Sequence, residues 1–237
     1  MRLSNIFLFA VLPASLYLGG CKSGSDDATL RLQATAQARD ASNQQMANQT
    51  AQDYHAMTDS QLLEKLVEQS KKQKEPFNSL AYRELRNRKD LSADSILVTV
   101  RQEKGGDGLL PLLLLRRLHV EAYRAMPAEE RAAVLTDALE KSRTFNIWGL
   151  PHLYLEEASK AMIECGESTH AALVRMLGDT RPAPLWGGGQ EGMEAEKYKY
   201  RLCDYALFFL EKIRPGNTFV MPVNPEDRDA LIKGLTQ

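Results

Sequence analysis

A run of leucines at residues 109–115 sets the strongest limit on the fold of this chain. It lies in "GLLPLLLLRRLHVEAYRAM", residues 108–126, and has leucine at every position except Pro111. Proline is tolerated there because the first turn of a helix does not use its N–H groups. The apolar run is shorter than the roughly 20 residues that a helix needs to cross a bilayer. The pattern therefore predicts a helix over 108–126 that is buried in a protein core.

Helical signals continue on both sides of this run. Thr58 and Gln61 have the spacing of a capping box ahead of an apolar stripe. "PAEERAAVLTDALEK", 127–141, opens with proline and acidic residues, which suit a first helical turn. "AEKYKYRLCDYALFFLEKIR", 195–214, carries apolar residues at the 3.6-residue helical spacing. The other predicted helices cover 76–89, 92–104, 150–165, 168–177 and 225–235.

The segment "SADSILVTVRQEK", 92–104, is the one place where a strand competes with a helix. The β-branched residues of "ILVTV" suit a strand. However, the neighbouring segments have helical patterns, and no partner strand is visible in the sequence. A helix is therefore predicted here too, and the fold class is predicted to be all-α.

Predicted helix pairs recur at intervals of roughly 40–50 residues, over 109–141, 150–177 and 195–235. From about residue 109 onward the chain resembles irregular bacterial HEAT-like repeat proteins. The residues that carry the resemblance are "ASKAMIECGESTHAALVRMLGDTRPAP" and "YKYRLCDYALFFLEKI". The resemblance implies an α-solenoid of stacked helix pairs used for binding. A compact helical bundle is the alternative architecture.

The first twenty residues have the order of a secretory signal peptide. Arg2 supplies a positive start, and the uncharged apolar stretch "IFLFAVLPASLYL" covers 6–18, followed by Gly19 and Gly20. A transmembrane anchor is the alternative, but the stretch is short for a span and Pro13 interrupts it.

The residues that close this segment, Leu18-Gly19-Gly20-Cys21, resemble the lipobox of bacterial lipoproteins. The resemblance implies lipid transfer to the Cys21 thiol, cleavage before Cys21 and acylation of the new amino group. Several acyl chains anchor a protein firmly, since each buried CH₂ contributes about 0.8 kcal/mol. Lys22 stands where lipoproteins kept in the inner membrane tend to have Asp. The resemblance thus favours an outer-membrane anchor facing the periplasm, provided that the host is Gram-negative.

The segment after Cys21 predicts a tether. Residues 21–57 are rich in Ala, Gln, Asn and Thr and contain no long apolar run. Such a composition buries too little surface to offset the entropy of ordering, although a fraying helix is an alternative. The expected organisation is a signal peptide over 1–20, a lipidated cysteine and flexible tether over 21–57, and a helical-repeat domain over 58–237.

The sequence contains no recognisable motif for catalysis or for a metal. The four histidines have no HExxH or similar spacing, and no nucleophile elbow or phosphate-binding glycine loop is present. A hydrolase acting from His152, Glu156 and Glu157 is kept as an alternative, because His152 and Glu156 would share a helix face. The prediction is a protein with no catalytic residues, no metal site and no cofactor.

Two cysteines remain after Cys21, namely Cys165 and Cys203. Export would permit a disulfide between them. In a stacked-repeat layout, however, they would lie roughly 15 Å apart along the helix axes, at 1.5 Å per residue, which exceeds disulfide reach. Small buried thiols are therefore expected, with a disulfide as the alternative.

The most unusual internal segment is "GDTRPAPLWGGGQEGMEAE", 178–196. It is long for a connection between packed helices, and long ordered loops are often functional. We therefore take Arg181, Pro182, Pro184 and Trp186 as a candidate binding loop. The competing interpretation is that Trp186 folds back and fills the end of the core.

Together these patterns predict a lipid-anchored envelope protein whose helical-repeat domain binds another protein or an envelope polymer. The formal net charge of −1 argues against nucleic acid as a partner, because nucleic-acid binding favours a clustered basic excess. A structural or assembly role without a discrete ligand is the alternative.

The lipobox generates the first testable prediction. Cys21→Ala is expected to abolish incorporation of a labelled fatty acid and to move the protein out of the detergent phase, because no thiol is left to accept the lipid. Metabolic labelling and Triton X-114 partitioning measure both effects. A mutant that labels and partitions like the parent protein would contradict the anchor.

Overall fold

A computed structural model describes residues 40, 43–44, 47–72, 79–103, 105–185 and 190–236. The chain divides into two units between Thr50 and Ala51. The described residues of the first unit are helical and exposed. The second unit, Ala51–Gln237, contains the core. The predicted signal peptide over 1–20 and the lipid site Cys21 lie outside the described residues and stay predictions.

The second unit is built from helices, which confirms the all-α prediction. The only sheet in the described residues is a hairpin of two-residue strands, β1 (Gly149–Leu150) and β2 (Tyr154–Leu155). Two 3₁₀ turns occupy Gly105–Gly108 and Gly166–Thr169. The α-helices are α1 (Asp59–Lys72), α2 (Leu80–Asn87), α3 (Ala93–Gln102), α4 (Leu109–Leu118), α5 (Val120–Ala125), α6 (Ala128–Lys141), α7 (Glu157–Cys165), α8 (His170–Met176), α9 (Gln190–Tyr198), α10 (Leu202–Ile213) and α11 (Pro225–Leu235).

Helix α4 lies at the centre of the core, as the leucine run predicted. Every residue from Leu109 to Leu115 is buried. The helix packs against α1, α2 and α3 before it in the chain and against α5, α6 and α7 after it. A helix that is apolar on all sides is stable in water only when neighbours cover every side.

The second half of the core is organised around α10. Nine consecutive residues, Leu202 to Leu210, are buried. This helix packs against α7, α8 and α11, while α6 packs against α7 and α8. Such contacts fit both stacked helix pairs and a compact bundle. The all-α class is therefore established, whereas the solenoid arrangement stays a prediction.

Several predicted helix starts are confirmed by their capping contacts. Gln61 N–H donates to Thr58 Oγ1 at 3.3 Å, and Thr58 N–H donates to Gln61 Oε1 at 2.9 Å, which completes the capping box. The ambiguous segment 92–104 contains α3, whose N-cap Ser92 accepts a hydrogen bond from the Asp94 N–H. Helix α6 begins directly after Pro127.

Three predicted helices have different boundaries in the structure. The helix predicted over 108–126 is interrupted at His119, whose Nε2 lies 2.8 Å from the Leu91 carbonyl oxygen. The helix predicted over 150–165 begins only at Glu157, because the β1–β2 hairpin takes up its first residues. The helix predicted over 195–214 is divided at Lys199, which has a positive φ of 48°.

The end of the predicted tether is part of the second unit. Residues 51–56 are helical, and Tyr54 and Met57 pack against the core. Arg88 fixes this segment by donating to the carbonyl oxygens of His55 at 3.1 Å and Met57 at 2.6 Å. The unit thus begins at Ala51, before the predicted domain start at Thr58. The composition of the segment gave no sign of the Arg88 contacts, because these involve backbone oxygens.

Both remaining cysteines, Cys165 and Cys203, are free and buried. Burial raises the pKa of each thiol to about 11. Both side chains therefore stay protonated at neutral pH, which leaves them weak nucleophiles.

No helix among the described residues is long and apolar enough to cross a membrane.

The 3₁₀ turn Gly105–Gly108 lies so close to α6 that a side chain at Gly106 is excluded. A Cβ on Gly106 would lie 2.6 Å from the Ala138 Cα. The Gly106 N–H also donates to Asp137 Oδ2 at 2.5 Å. This turn leads directly into α4, so its close approach sets where the central helix begins.

Gly106→Ala is expected to lower the free energy of unfolding by about 1–3 kcal/mol, the usual range for overpacking against a rigid backbone. Gly234→Ala in α11 is the matched control, because a Cβ there meets nothing within 4 Å. That control should instead stabilise the protein by up to about 1 kcal/mol through helix propensity. Urea denaturation measures the free energy of unfolding of both variants. Equal changes in Gly106→Ala and Gly234→Ala would contradict the close approach at Gly106.

Candidate binding cleft

The predicted binding loop forms one wall of a cleft. Residues 180–185 run beside the junction between α9 and α10. Ala183 N–H donates to the Tyr200 carbonyl oxygen at 2.8 Å, and Leu202 N–H donates to the Arg181 carbonyl oxygen at 3.0 Å. These bonds give Pro182 an antiparallel bridge to Arg201. The wall is therefore held by backbone hydrogen bonds to the segment that joins α9 to α10. We call Lys199, Tyr200 and Arg201 of this segment the floor of the cleft.

The opposite wall comes from one face of α9. Gly192, Ala195 and Glu196 are spaced three or four residues apart and so share that face, and Met193 lies beside them with 68% of its surface exposed. The cleft between the walls has a volume of about 970 Å³. It is lined by Thr180, Pro182, Ala183, Pro184, Leu185, Gly192, Met193, Ala195, Glu196, Lys199, Tyr200 and Arg201.

The four predicted loop residues have different positions. Pro182 and Pro184 line the cleft. Arg181 is engaged elsewhere, since its guanidinium pairs with Asp179 and donates to the Glu140 carbonyl oxygen at 2.7 Å. Trp186 lies outside the described residues, so both interpretations of its role stay predictions.

The sequence pattern did not predict the floor of the cleft. Lys199, Tyr200 and Arg201 separate α9 from α10, where one continuous helix was predicted. A positive φ is costly for a side chain other than glycine, so the surrounding structure has to hold Lys199 in place. Tyr198 and Tyr200 are buried on either side of the exposed Lys199. That alternation has the period of an extended strand, but it covers too few residues to stand out in the sequence against the helical pattern on both sides.

The residue that holds the floor is Asp204, which is completely buried. It accepts hydrogen bonds from the Arg201 backbone N–H at 2.8 Å and from the Arg201 guanidinium at 2.9 Å and 3.1 Å. It also makes an ion pair at 3.0 Å with Arg228, a second completely buried residue. The Arg228 guanidinium donates to the Tyr198 carbonyl oxygen at 2.8 Å. Both ends of the Tyr198–Arg201 segment are thus fixed by one buried ion pair.

His152 supports α9 from the side opposite the cleft. Its ring stacks on Tyr198 with centroids 3.7 Å apart. Its Nδ1 lies 2.9 Å from the Tyr200 hydroxyl, and its Nε2 lies 3.2 Å from a Glu194 carboxylate oxygen. Burial lowers the pKa of His152, and the Glu194 charge opposes this effect only in part. The imidazole is therefore held mainly in its neutral form.

The residues of the hydrolase alternative have separate partners. His152 lies in the hairpin turn against α9, so it does not share a helix face with Glu156 as predicted. Glu156 is the N-cap residue of α7, and Glu157 forms ion pairs with Arg116 and Lys160. Across the described ranges, no group of three or more His, Cys, Asp or Glu side chains is arranged to hold a metal ion.

Comparisons of the chain with protein-family models, with curated proteins and with solved structures give no match. The resemblance to lipoproteins and to HEAT-like repeats therefore stays a prediction from the sequence. The interpretation of the cleft depends on its own geometry.

The lowered pKa of His152 predicts how stability depends on pH. In the unfolded chain the imidazole titrates near its ordinary pKa of 6.5, whereas in the folded protein it titrates at lower pH. Between these values the unfolded chain binds the extra proton. The free energy of unfolding should therefore fall as the pH drops below about 6.5.

His152→Gln should flatten this slope below about pH 6.5, since the variant lacks the imidazole whose lowered pKa produces it. His170→Gln is the control, because His170 is exposed. Urea denaturation at a series of pH values measures both slopes. If the pH dependence of the free energy of unfolding is unchanged in His152→Gln, or is flattened equally in His170→Gln, it does not come from His152.

Proposed function

We propose that this protein is a lipid-anchored component of the bacterial cell envelope whose helical domain binds a segment of another envelope protein. The single observation that carries the binding role is the cleft of about 970 Å³ between residues 180–185 and α9. The lipobox-like segment ending at Cys21 supports the anchor and the location. Lys22 favours the outer membrane.

The lining of the cleft suits an extended polypeptide. Its walls present the apolar side chains of Pro182, Pro184, Leu185 and Met193, which bury area when a ligand covers them. Charged groups lie at the floor and on α9, where they can orient a ligand by its polar groups. An apolar cleft with a few convergent polar groups is a typical ligand site.

The walls are also rigid enough for recognition. The 180–185 wall is joined to the floor by backbone hydrogen bonds, and α9 is held by His152 and Arg228. A site that is already organised loses less conformational entropy when the ligand binds. The lipid on Cys21 and the following residues would bring this cleft to partners at the membrane surface.

The experiment compares two positions for a photocrosslinking amino acid in the full-length protein in intact cells. Met193 lines the cleft, and Val220 is similarly exposed, at 79%, but lies outside the lining. We expect a discrete crosslinked adduct from position 193 and none from position 220. Protease digestion of the adduct distinguishes a protein partner from an envelope polymer.

Matched substitutions test whether the cleft side chains contribute to binding. Met193→Asp should abolish the adduct formed from a probe at Leu185 while changing stability by less than about 0.5 kcal/mol, since the side chain is exposed. Val220→Asp should leave both unchanged. If Met193→Asp leaves the adduct intact, or if positions 193 and 220 crosslink equally, the cleft is not the binding site.

A further inference from the structure

A second cavity lies where α4, α5, α6 and α7 meet, and its lining contains three arginines. Its volume is about 490 Å³. Arg116 comes from the end of α4, Arg124 from α5 and Arg131 from α6. The remaining lining residues are Val120, Tyr123 and Glu164. None of these six residues stood out in the sequence.

One of the three arginines is already neutralised. Arg116 binds Glu164 through two hydrogen bonds, from Nε at 3.0 Å and from Nη2 at 2.6 Å, and its Nη1 pairs with Glu157. Arg116 also lowers the pKa of Glu164, so that carboxylate stays ionised. The Glu164 carboxylate is bound to Arg116, and its charge also interacts with those of Arg131 and Arg124, which lower its pKa further.

Two buried polar atoms in the lining have no hydrogen bond of acceptable geometry to the described residues. They are the Tyr123 hydroxyl oxygen and the Arg131 Nε, and Tyr123 is only 1% exposed. The side chains are neighbours, with the Arg131 guanidinium carbon 4.6 Å from the Tyr123 ring centroid. Buried polar groups almost always have partners, because leaving one unpaired is costly. Two such atoms in one cavity indicate that something able to accept hydrogen bonds belongs there.

The Tyr123 hydroxyl is protonated and can therefore act as a hydrogen-bond donor to a ligand. Burial raises its pKa to about 12, and the close polar approach of the Arg131 side chain together with its charge acts in the opposite direction. The phenol thus carries its proton at neutral pH and can donate it.

Arg124 supplies a second cation that can turn toward the cavity. Its side chain is 68% exposed and pairs at 3.1 Å along α5 with Glu121, which is 82% exposed. Exposed pairs of this kind contribute little and are easily exchanged. Two guanidinium groups that have no buried carboxylate bound to them among the described residues are therefore available to a ligand, and an anion would match their charge.

We propose that this cavity binds a phosphate group, either free inorganic phosphate or the phosphate of a monoester. Arg131 and Arg124 would pair with its oxygens, and the Tyr123 hydroxyl would donate a hydrogen bond to it. Guanidinium groups match phosphate oxygens in geometry and charge. The cavity has room for more than a phosphate ion, so an ester with a small organic group also fits.

The test is isothermal titration calorimetry of the full-length protein with inorganic phosphate at pH 7.5, with ionic strength held constant by sodium chloride. We expect saturable binding of one phosphate per chain. Arg131→Gln should weaken it by about 10-fold or more, since a charge-assisted hydrogen bond is lost. Tyr123→Phe should weaken it several-fold while keeping the ring on which Arg131 packs. Arg214→Gln is the matched control, because Arg214 is an exposed arginine paired with Glu211 outside the cavity.

Two further ligands distinguish the sources of the anion. Tighter binding of glycerol 3-phosphate than of inorganic phosphate supports a monoester, and the reverse supports the free ion. Acetate binding as well as phosphate would overturn the proposal in favour of a carboxylate site. Absence of saturable binding, or equal affinity in the parent protein and both folded cavity variants, would also overturn it. Circular dichroism and melting temperature check that the variants are folded.

Discussion

The ion pair between Asp204 and Arg228 holds the candidate cleft together. Both residues are completely buried, and their charges are compensated by each other and by surrounding hydrogen bonds. Removing one partner of such a pair leaves an uncompensated buried charge, which costs about 3–5 kcal/mol. Arg228 belongs to α11 and Asp204 to α10, while their contacts reach Tyr198 and Arg201. One charge pair therefore connects the last two helices to the floor of the cleft.

The same region explains how a strained residue is maintained. Lys199 has an unfavourable positive φ, and both of its neighbours are buried tyrosines. Tyr198 stacks on His152, and the Arg228 guanidinium lies over the Tyr200 ring. These contacts hold the backbone on either side, so the Lys199 side chain is presented to the cleft. Packing that fixes a strained residue beside a cavity is common where a protein binds a ligand.

The parts of the fold that could be predicted from the sequence are those determined by local patterns. The leucine run predicted the buried α4, the Thr58 and Gln61 spacing predicted a capping box, and the proline at 127 marked the start of α6. Each depends on residues within a few positions of one another. The interruptions at His119 and Lys199 could not be predicted in this way. The His119 ring contacts Leu91, and the Lys199 segment is fixed by Arg228, both far away in the chain.

The connection predicted over 178–196 ends sooner in the structure, because α9 begins at Gln190. Two properties could be read from the residues alone: the chain is helical, and its core contains a leucine-rich helix. They follow from helical periodicity, capping and composition, which are local. The two cavities, in contrast, exist only because helices pack. Residues 180–185 and α9 enclose the cleft, and α9 is held by His152 and Arg228, which are distant in the chain. Three arginines from three helices line the second cavity. Burial then changes the chemistry of those groups, as it does for the His152 imidazole and the Tyr123 phenol.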